Sequence, residues 1–289
     1  GHAPFSAIPS MNRQPRTCFV IKAPRRSGLI RGVQIASALG AETWELVNFT
    51  PEQARRFDIV VWVKELPQTQ LMEAIRARGV RQVIDVVDNF HWRRLEERAA
   101  FADALVAANR THGILLERRF GRSTVVLPHH HCNFHEERIP PGRQPPTLGY
   151  IGRKDDWLIN RWLTRKLSLP LVRDFKHQDL RRSYLDIDLG FAYRRHRQKR
   201  SYNSAVKLLN YMSFGIPAVV TPESGFLEVA RHGVECFFAQ TRAEVPMFLE
   251  YLAHSPELRC RLGAAAFEAA RPFHISRIAE MYRRFLRDL

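Results

Sequence analysis

Apolar and polar residues alternate regularly from Thr17 onward, in short apolar runs separated by stretches with helical spacing. The apolar runs are typical of buried parallel strands, and the stretches between them repeat apolar residues three and four positions apart, as amphipathic helices do. This pattern predicts an α/β fold of parallel sheets with helices on both faces. In the first half of the chain the predicted strands are 17–22, 43–48, 58–63, 82–87, 104–107 and 123–127, and the predicted helices are 29–39, 68–78, 92–100 and 112–120.

A proline-rich stretch at 138–146 interrupts the alternation. Proline lacks the N–H that a sheet ladder or a helix interior needs, so this stretch is predicted to be a linker. We therefore expect one α/β domain at 11–137 and a second at 147–289, and we expect residues 1–10, before Met11, to be a cloning remnant. The second domain is predicted to hold strands 148–151, 169–175, 187–193, 216–220 and 234–239, helices 157–167, 178–185 and 226–231, and a helical tail at 242–289.

Composition adds a strong charge bias to this picture. The chain has 289 residues, 45% of them hydrophobic, which is enough for packed cores in two domains of modest size. Its 45 Lys and Arg residues against 29 Asp and Glu give a net charge of +16. Such an excess indicates an anionic partner, and charge alone leaves nucleotide phosphates, phospholipid, nucleic acid and an acidic glycan open.

The cysteines and the lengths of the apolar runs indicate where in the cell the protein is expected to be. Cys18, Cys132, Cys236 and Cys260 are scattered and form no Cys-x-x-Cys pair, which favours free thiols in a reducing environment. No apolar run reaches the roughly 18 residues that a spanning helix needs, and no signal peptide is recognisable. We therefore expect a cytoplasmic protein, with peripheral contact to an anionic inner membrane face as one use of the charge.

The stretch 207–228 carries the most chemical information. It begins with a helix that Gly215 can end in the left-handed conformation, and a short apolar strand follows. The turn Thr221-Pro-Glu-Ser-Gly225 then leads into another predicted helix. Backbone N–H groups at such a helix start can bind an anionic oxygen, and small residues let that ligand come close.

This stretch resembles the donor-binding half of GT-B glycosyltransferases, especially those of family 4. The matching residues are Lys207, Tyr211, Met212, Gly215, Pro217, Val219, Thr221, Ser224, Gly225 and Glu228. The resemblance implies two facing Rossmann-like domains, with the final helix crossing back to the first. Family 4 enzymes usually carry two glutamates eight residues apart here, and this chain has Tyr202 and Asn210 at those positions.

The donor, a nucleotide-sugar, is expected to lie on the second domain. The resemblance implies a site formed by Arg153, Lys154, Arg200, Asn203, Lys207, Asn210, Ser224, Gly225 and Glu228, with Ser27 and Gly28 approaching from the first domain. Cations beside the diphosphate would stabilise the leaving group. The alternatives are a solvated turn for Arg153 and Lys154, a solvated basic loop at 194–200, and a helix N-cap for Ser27.

Asp88 and His91 are the predicted catalytic residues. They follow strand 82–87, and family 4-like enzymes often have a similar Asp or His facing the cleft from this loop. His91 is expected to hydrogen-bond a donor sugar hydroxyl, and Asp88 to orient the acceptor or remove its proton. A purely structural role for the pair is the alternative.

The run His129-His-His-Cys-Asn-Phe-His135 has the residue types of a zinc site. Adjacent residues of an extended segment point to opposite faces, so three consecutive histidines cannot all reach one ion. We interpret the run as the crossover that closes the first domain and lines the cleft. No metal or cofactor is expected beyond the donor itself.

The sequence therefore predicts a glycosyltransferase that moves a sugar from a nucleotide-sugar to a hydroxyl of a cell-surface glycan or glycolipid, with retention of configuration. One alternative is a non-catalytic basic α/β protein that binds nucleic acid or an acidic polymer. No aromatic RNA-binding stretch or zinc finger supports that alternative, and no nucleic-acid partner is expected. A degenerate GT-B subunit without activity is the third possibility.

Overall fold

The computed structural model describes residues 13–88, 91–139, 143–154, 162–163, 166–176, 179–194 and 202–289. The predicted remnant at 1–10, most of predicted helix 157–167 and the donor-site candidate Arg200 lie outside these ranges. Within them the chain forms two parallel sheets, one of six strands and one of five. The predicted α/β class and its division into two parallel-sheet units are confirmed.

The first sheet has the strand order β2-β1-β3-β4-β5-β6, with every described pairing parallel. Its strands are β1 Thr17–Ile21, β2 Glu42–Glu45, β3 Ile59–Val63, β4 Arg81–Val87, β5 Ala104–Ala107 and β6 Thr124–Val126. β1, β3 and β5 are buried on both faces, which is why they appear in the sequence as continuous apolar runs. β2 is shorter than predicted, because 46–48 turn into a 3₁₀ segment at the sheet edge.

Helices cover both faces of this sheet. The first begins as a wide π-type stretch, Gly28–Gln34, and continues as α1 Ile35–Leu39. The others are α2 Pro51–Ala54, α3 Thr69–Arg76, α4 Trp92–Ala99 and α5 Arg110–Phe120. α2 was not predicted, although Thr50 and Gln53 form a capping box at its start that the sequence Thr-Pro-Glu-Gln signals.

The second sheet has the order β11-β10-β9-β7-β8. Its strands are β7 Leu148–Ile151, β8 Leu171–Asp174, β9 Leu189–Ala192, β10 Ala218–Val220 and β11 Phe237–Phe238. The helices between them are α6 Leu180–Leu185, α7 Val206–Ser213 and α8 Ser224–Leu227. The predicted helix 226–231 is wrong in extent: α8 starts at Ser224 and has a single turn, because Glu223 already supplies the capping carbonyl to the N–H groups of Phe226 and Leu227.

The C-terminal helices return the chain to the first domain. α9 Glu244–His254 and α10 Pro256–Ala270 belong to the second domain, and α11 Ile275–Asp288 follows a 3₁₀ turn at Arg271–Phe273. Ile278, Tyr282 and Leu286 of α11 are buried against Phe19 and Ile35 of the first domain. The predicted crossing helix is thus present, and the helical tail is divided at Pro256 and at Pro272.

A buried polar network fixes α11 to the first sheet. The Asp85 carboxylate on β4 accepts from Arg31 Nε at 2.7 Å and from the Tyr282 hydroxyl at 2.8 Å. Arg31 also donates to the Leu127 carbonyl at 2.6 Å, and its side chain is only 1% exposed. All four cysteines are free, and no helix among the described residues is long and apolar enough to cross a bilayer.

Candidate functional site

The two sheets meet at their carboxyl ends. Asn109, which follows β5, donates from Nδ2 to the carbonyl oxygens of Tyr202 and Asn203 at 2.9 and 3.0 Å. Tyr202 and Asn203 lie between β9 and α7 of the second domain. Ligands of open α/β sheets bind outside the carboxyl ends of the strands. The cleft between the two sheets is therefore the candidate active site.

Three neighbouring strands of the first domain lead into left-handed residues at this edge. Arg26 after β1, Lys64 after β3 and Val87 at the end of β4 have φ values of 53°, 65° and 56°. None of them is glycine, and Val87 is β-branched, so each conformation costs free energy that the surrounding structure must supply. Such strain concentrates at functional sites, and β1, β3 and β4 are adjacent in the sheet.

Asp88 and His91 lie at this edge, as their position after β4 predicts. Asp88 Oδ1 pairs with Lys64 Nζ at 2.7 Å, and both side chains are a little over one-third exposed. His91 is exposed at the start of α4 and its ring does not cap that helix. The carboxylate is thus partly exposed and the imidazole is exposed at this edge of the sheet.

Ser27 and Gly28 form the turn after β1. A Cβ on Gly28 would lie 2.2 Å from the Ala23 carbonyl oxygen, so glycine is required by the closure of this turn itself. Ser27 stands at the N-cap position, but its side chain makes no capping hydrogen bond. Ser27 therefore occupies the N-cap position of the alternative without capping the helix through its hydroxyl.

In the second domain, Lys207 reaches the end of β7. Its Nζ lies 4.7 Å from the centre of the Tyr150 ring, and a Cβ on Gly152 would come within 2.4 Å of it. Gly152 thus leaves the space that the ammonium group occupies. Arg153 and Lys154 follow directly and are exposed, so three cations gather at the carboxyl end of one central strand.

A nearly buried ion pair supports the neighbouring loops. Arg194 Nη1 donates to both carboxylate oxygens of Glu223, at 2.9 and 3.2 Å, with exposures of 15% and 6%. Arg194 N also donates to Thr221 Oγ1 at 2.7 Å, and Asn203 Nδ2 lies 3.4 Å from Glu223. This pair was not predicted from the sequence. A glutamate inside a small-residue turn beside a basic loop is the signal that could have indicated it.

Ser224 and Gly225 pack against the segment that precedes α7. A Cβ on Gly225 would lie 2.4 Å from the Asn203 carbonyl oxygen and 3.1 Å from the Ala205 nitrogen. The loop after β10 and the loop before α7 are therefore in direct backbone contact. Lys207, one residue into the same helix, lies close to this junction in sequence.

Two donor-site candidates have other partners in the structure. Asn210 accepts from the Cys132 N–H at 2.9 Å and is buried, so it supports the crossover between the domains. Glu228 accepts from the N–H groups of Arg110 and Thr111 in the first domain, at 2.9 and 3.2 Å. Tyr202, at the position of the first family glutamate, stacks on His112 with ring centres 5.6 Å apart.

The histidine run packs at the junction of the two interdomain crossovers. The His130 ring nitrogens lie 2.9 and 3.0 Å from the carbonyl oxygens of His131 and Ile30. His131 donates its N–H to the Phe273 carbonyl and its ring lies 5.6 Å from that of His274. Burial lowers the pKa of His131 to about 3. Among the described residues, no three His, Cys, Asp or Glu side chains are grouped as a metal site.

Comparison with known proteins agrees with this architecture. A family model described as glycosyl transferase-like matches residues 147–282. The chain is similar to Anabaena HepE in complex with UDP and glucose, with a TM-score of 0.73 at 12% identity, covering 95% of this chain and 100% of that one. No curated protein matches the sequence.

Two further solved structures share the fold. A glycosyltransferase from Rickettsia africae has a TM-score of 0.67 at 11% identity, covering 96% of this chain and 99% of that one. The pneumococcal O-GlcNAc transferase GtfA, in complex with UDP and GlcNAc, has a TM-score of 0.56 at 12% identity, covering 89% and 60%. The chain therefore has the GT-B fold, and its second domain matches a family described as glycosyl transferase-like.

Proposed function

We propose that the protein transfers a sugar from a uridine nucleotide-sugar, held by the second domain, to a hydroxyl of a cell-surface glycan or glycolipid held by the first. The observation that carries the proposal is the position of Lys207 Nζ against Gly152 and Tyr150, at the carboxyl end of β7. The uridine base is proposed because HepE, similar over its whole length, was solved with UDP-glucose.

On the second domain, cations neutralise the departing diphosphate. Lys207, Arg153 and Lys154 lie at one strand end, where their charge stabilises the phosphate oxygens as the bond to the sugar breaks. Asn203, Ser224 and Gly225 offer polar backbone and side-chain groups nearby. Arg200 remains a proposed contact outside the described residues. Since these cations supply the positive charge that a metal ion would otherwise provide, sugar transfer is expected to persist when a metal chelator is added.

On the first domain, Asp88 and His91 serve the reacting groups. His91 hydrogen-bonds a hydroxyl of the donor sugar, while Asp88 orients the acceptor hydroxyl and takes its proton. The acceptor oxygen forms the new bond to the anomeric carbon as the bond to the diphosphate oxygen breaks. Ser27 and Gly28, on the rim, contact the acceptor or the leaving phosphate. Retention of configuration is proposed from the family 4 resemblance.

The two missing glutamates favour a second candidate, a GT-B subunit without transfer activity. Tyr202 and Asn210 replace two carboxylates, and both side chains have partners within the protein. Incubation with UDP-glucose and UDP-GlcNAc, monitored for UDP release, separates the two candidates. Hydrolysis or transfer above a Lys207→Ala control supports the enzyme. Tight UDP binding with no turnover of any tested donor supports the inactive subunit.

We also propose a peripheral contact with an anionic membrane face. The net charge of +16 supports it, as does a groove of about 690 Å³ at the amino ends of β1, β3 and β4, on the side of the first domain away from the cleft. Five arginines line this groove against one aspartate: Arg13, Arg16, Arg55, Arg78, Arg81 and Asp58. Guanidinium groups match phosphate in shape and charge.

A further inference from the structure

Helix α5 of the first domain is completed by a side chain of the second. The first N–H groups of a helix have no partner within it. Asn109 Oδ1 accepts from the His112 N–H at 2.8 Å, as an ordinary N-cap does. The N–H groups of Arg110 and Thr111 instead donate to the two carboxylate oxygens of Glu228. Separation of the domains would leave both N–H groups to water.

Asn109 uses both ends of its amide. Its oxygen caps α5, and its Nδ2 donates across the cleft to the carbonyl oxygens of Tyr202 and Asn203. The side chain is 2% exposed, so these hydrogen bonds are made away from water. One buried residue therefore fixes the helix start and the opposite domain together.

His112 extends the contact toward the predicted catalytic loop. Its fully buried ring stacks on Tyr202 with an interplanar angle of 30° and lies beside the backbone of Val87. Val87 is the strained left-handed residue directly before Asp88. The Tyr202 ring of the second domain therefore stacks on a side chain that lies beside the backbone preceding Asp88.

The same segment of the second domain contacts the donor loop. Asn203 lies against Gly225 through its carbonyl and against Glu223 through its amide. The loop after β10 is therefore in contact with the segment that touches Asn109 and His112. A continuous set of contacts runs from the donor loop, through Tyr202 and His112, to Val87 and Asp88.

We propose that this cross-domain clasp, formed by Asn109, Arg110, Thr111 and His112 with Tyr202, Asn203 and Glu228, positions Asp88 for transfer. The inference rests on the proposed function for its chemical consequence. Glu228 is then a positioning residue, which acts through α5 on the first domain and makes no contact with the donor. The tyrosine in place of the first family glutamate supplies the stacking surface.

The test compares Asn109→Ala, Glu228→Ala and Glu228→Gln with Glu117→Ala, an exposed glutamate on the same helix. Each clasp variant should lower kcat tenfold or more and change UDP affinity less than twofold, because the donor contacts are elsewhere. Glu228→Gln should lie between wild type and Glu228→Ala, since one acceptor oxygen remains. The double variant Asn109→Ala with Glu228→Ala should lower kcat by less than the product of the two single reductions, because both substitutions break the same contact between the domains.

Two readouts separate positioning from stability. Small-angle scattering should show a larger radius of gyration in the clasp variants than in wild type, and an unchanged radius in Glu117→Ala. Thermal denaturation should show that all variants remain folded at the assay temperature. Wild-type kcat and dimensions in Glu228→Ala would overturn the proposal. So would a tenfold loss of UDP affinity, which would return Glu228 to the donor site. If wild type turns over no donor, the proposed function fails, while the scattering comparison still tests the clasp.

Discussion

Lys64 Nζ lies 2.7 Å from Asp88 Oδ1, across the ends of two adjacent parallel strands. Lys64 adopts a left-handed conformation to reach this position, and its N–H donates to the Asp85 carbonyl at 2.8 Å, continuing the ladder between β3 and β4. The cation therefore sits on a backbone fixed by the sheet, and it holds the Asp88 carboxylate at the mouth of the cleft. The proposed base is thus held in one orientation.

Asp88→Asn and His91→Ala should each lower turnover by roughly 10²-fold or more, the scale of a lost acid–base or transition-state contact. Nucleotide affinity should barely change, because the donor nucleotide is proposed to lie on the opposite domain. A single-turnover assay with saturating donor, paired with calorimetric UDP titration, measures both quantities. Glu96→Gln, exposed on α4, is the control. Wild-type turnover in both variants would leave these residues a structural role.

Lys207→Ala should weaken UDP binding by about 1.5 to 3 kcal/mol, the range for a hydrogen bond to a charged group. The Tyr150 ring beneath the ammonium group remains in the variant, so the effect reports the lost charge. Calorimetry on the folded variant measures it, with Lys166→Ala, an exposed lysine of the same domain, as the control. Equal affinities in Lys207→Ala and wild type would remove the diphosphate from this strand end.

The sequence was sufficient for most of the fold, because strand and helix periods differ and the elements are bounded by glycine and proline. Strands 104–107 and 148–151 were predicted with their observed bounds. The position of Asp88 and His91 followed from the same logic, since residues after parallel strands collect at one edge. The loss of family glutamates at 202 and 210 was also visible.

The partners of those residues could not be predicted in the same way. Glu228 and Arg110 are 118 positions apart, and Asn109 and Asn203 are 94 apart, so no local spacing connects them. Arg31 and Tyr282, the partners of Asp85, lie on a helix after β1 and on the C-terminal helix. Such pairs depend on how two domains and a crossing helix pack.

The Arg31–Asp85 pair should be costly to break from one side. Arg31→Met leaves Asp85 as a buried carboxylate without its cation, and removal of one partner of a buried pair costs about 3 to 5 kcal/mol of unfolding free energy. Tyr282→Phe removes only the hydroxyl bond to the same carboxylate and should cost about 1.5 to 3 kcal/mol. Urea denaturation measures both, against Tyr251→Phe, whose side chain is exposed on α9. Losses no larger than in that control would contradict the network.

The arginine-lined groove predicts where an anionic surface binds. Each Lys or Arg near an anionic leaflet contributes about 1 kcal/mol, so a handful on one face gives reversible attachment. The protein should sediment with anionic vesicles at low salt and remain soluble at high salt. Arg55→Glu with Arg81→Glu should reduce sedimentation, whereas Arg261→Glu on the second domain should not. Equal sedimentation with neutral vesicles would argue against the electrostatic account.

His112 should make the protein less stable in acid. Burial lowers its pKa to about 4, against a usual value near 6.5, even though the charge of Asp88 and the nearby Val87 backbone act in the opposite direction. Unfolding therefore takes up a proton in this range, and the stability supplied by the neutral ring is present above pH 6.5 and lost as the pH falls toward 4. The shift corresponds to about 3 kcal/mol.

His112→Phe keeps a ring against Tyr202 and removes the titration. Its free energy of unfolding, measured in urea at several pH values, should fall less steeply between pH 6.5 and 4 than that of wild type, by up to about 1.4 kcal/mol per pH unit. His129 and His131 are also buried, and their pKa values are lowered too. Because both residues are present in wild type and in His112→Phe, their contribution to the pH dependence of the unfolding free energy is the same in the two proteins. His254→Phe, at an exposed site, should retain the wild-type slope. Identical slopes in His112→Phe and wild type would mean that the ring is protonated as easily in the folded chain as in the unfolded one, which its stacking between the two domains does not allow.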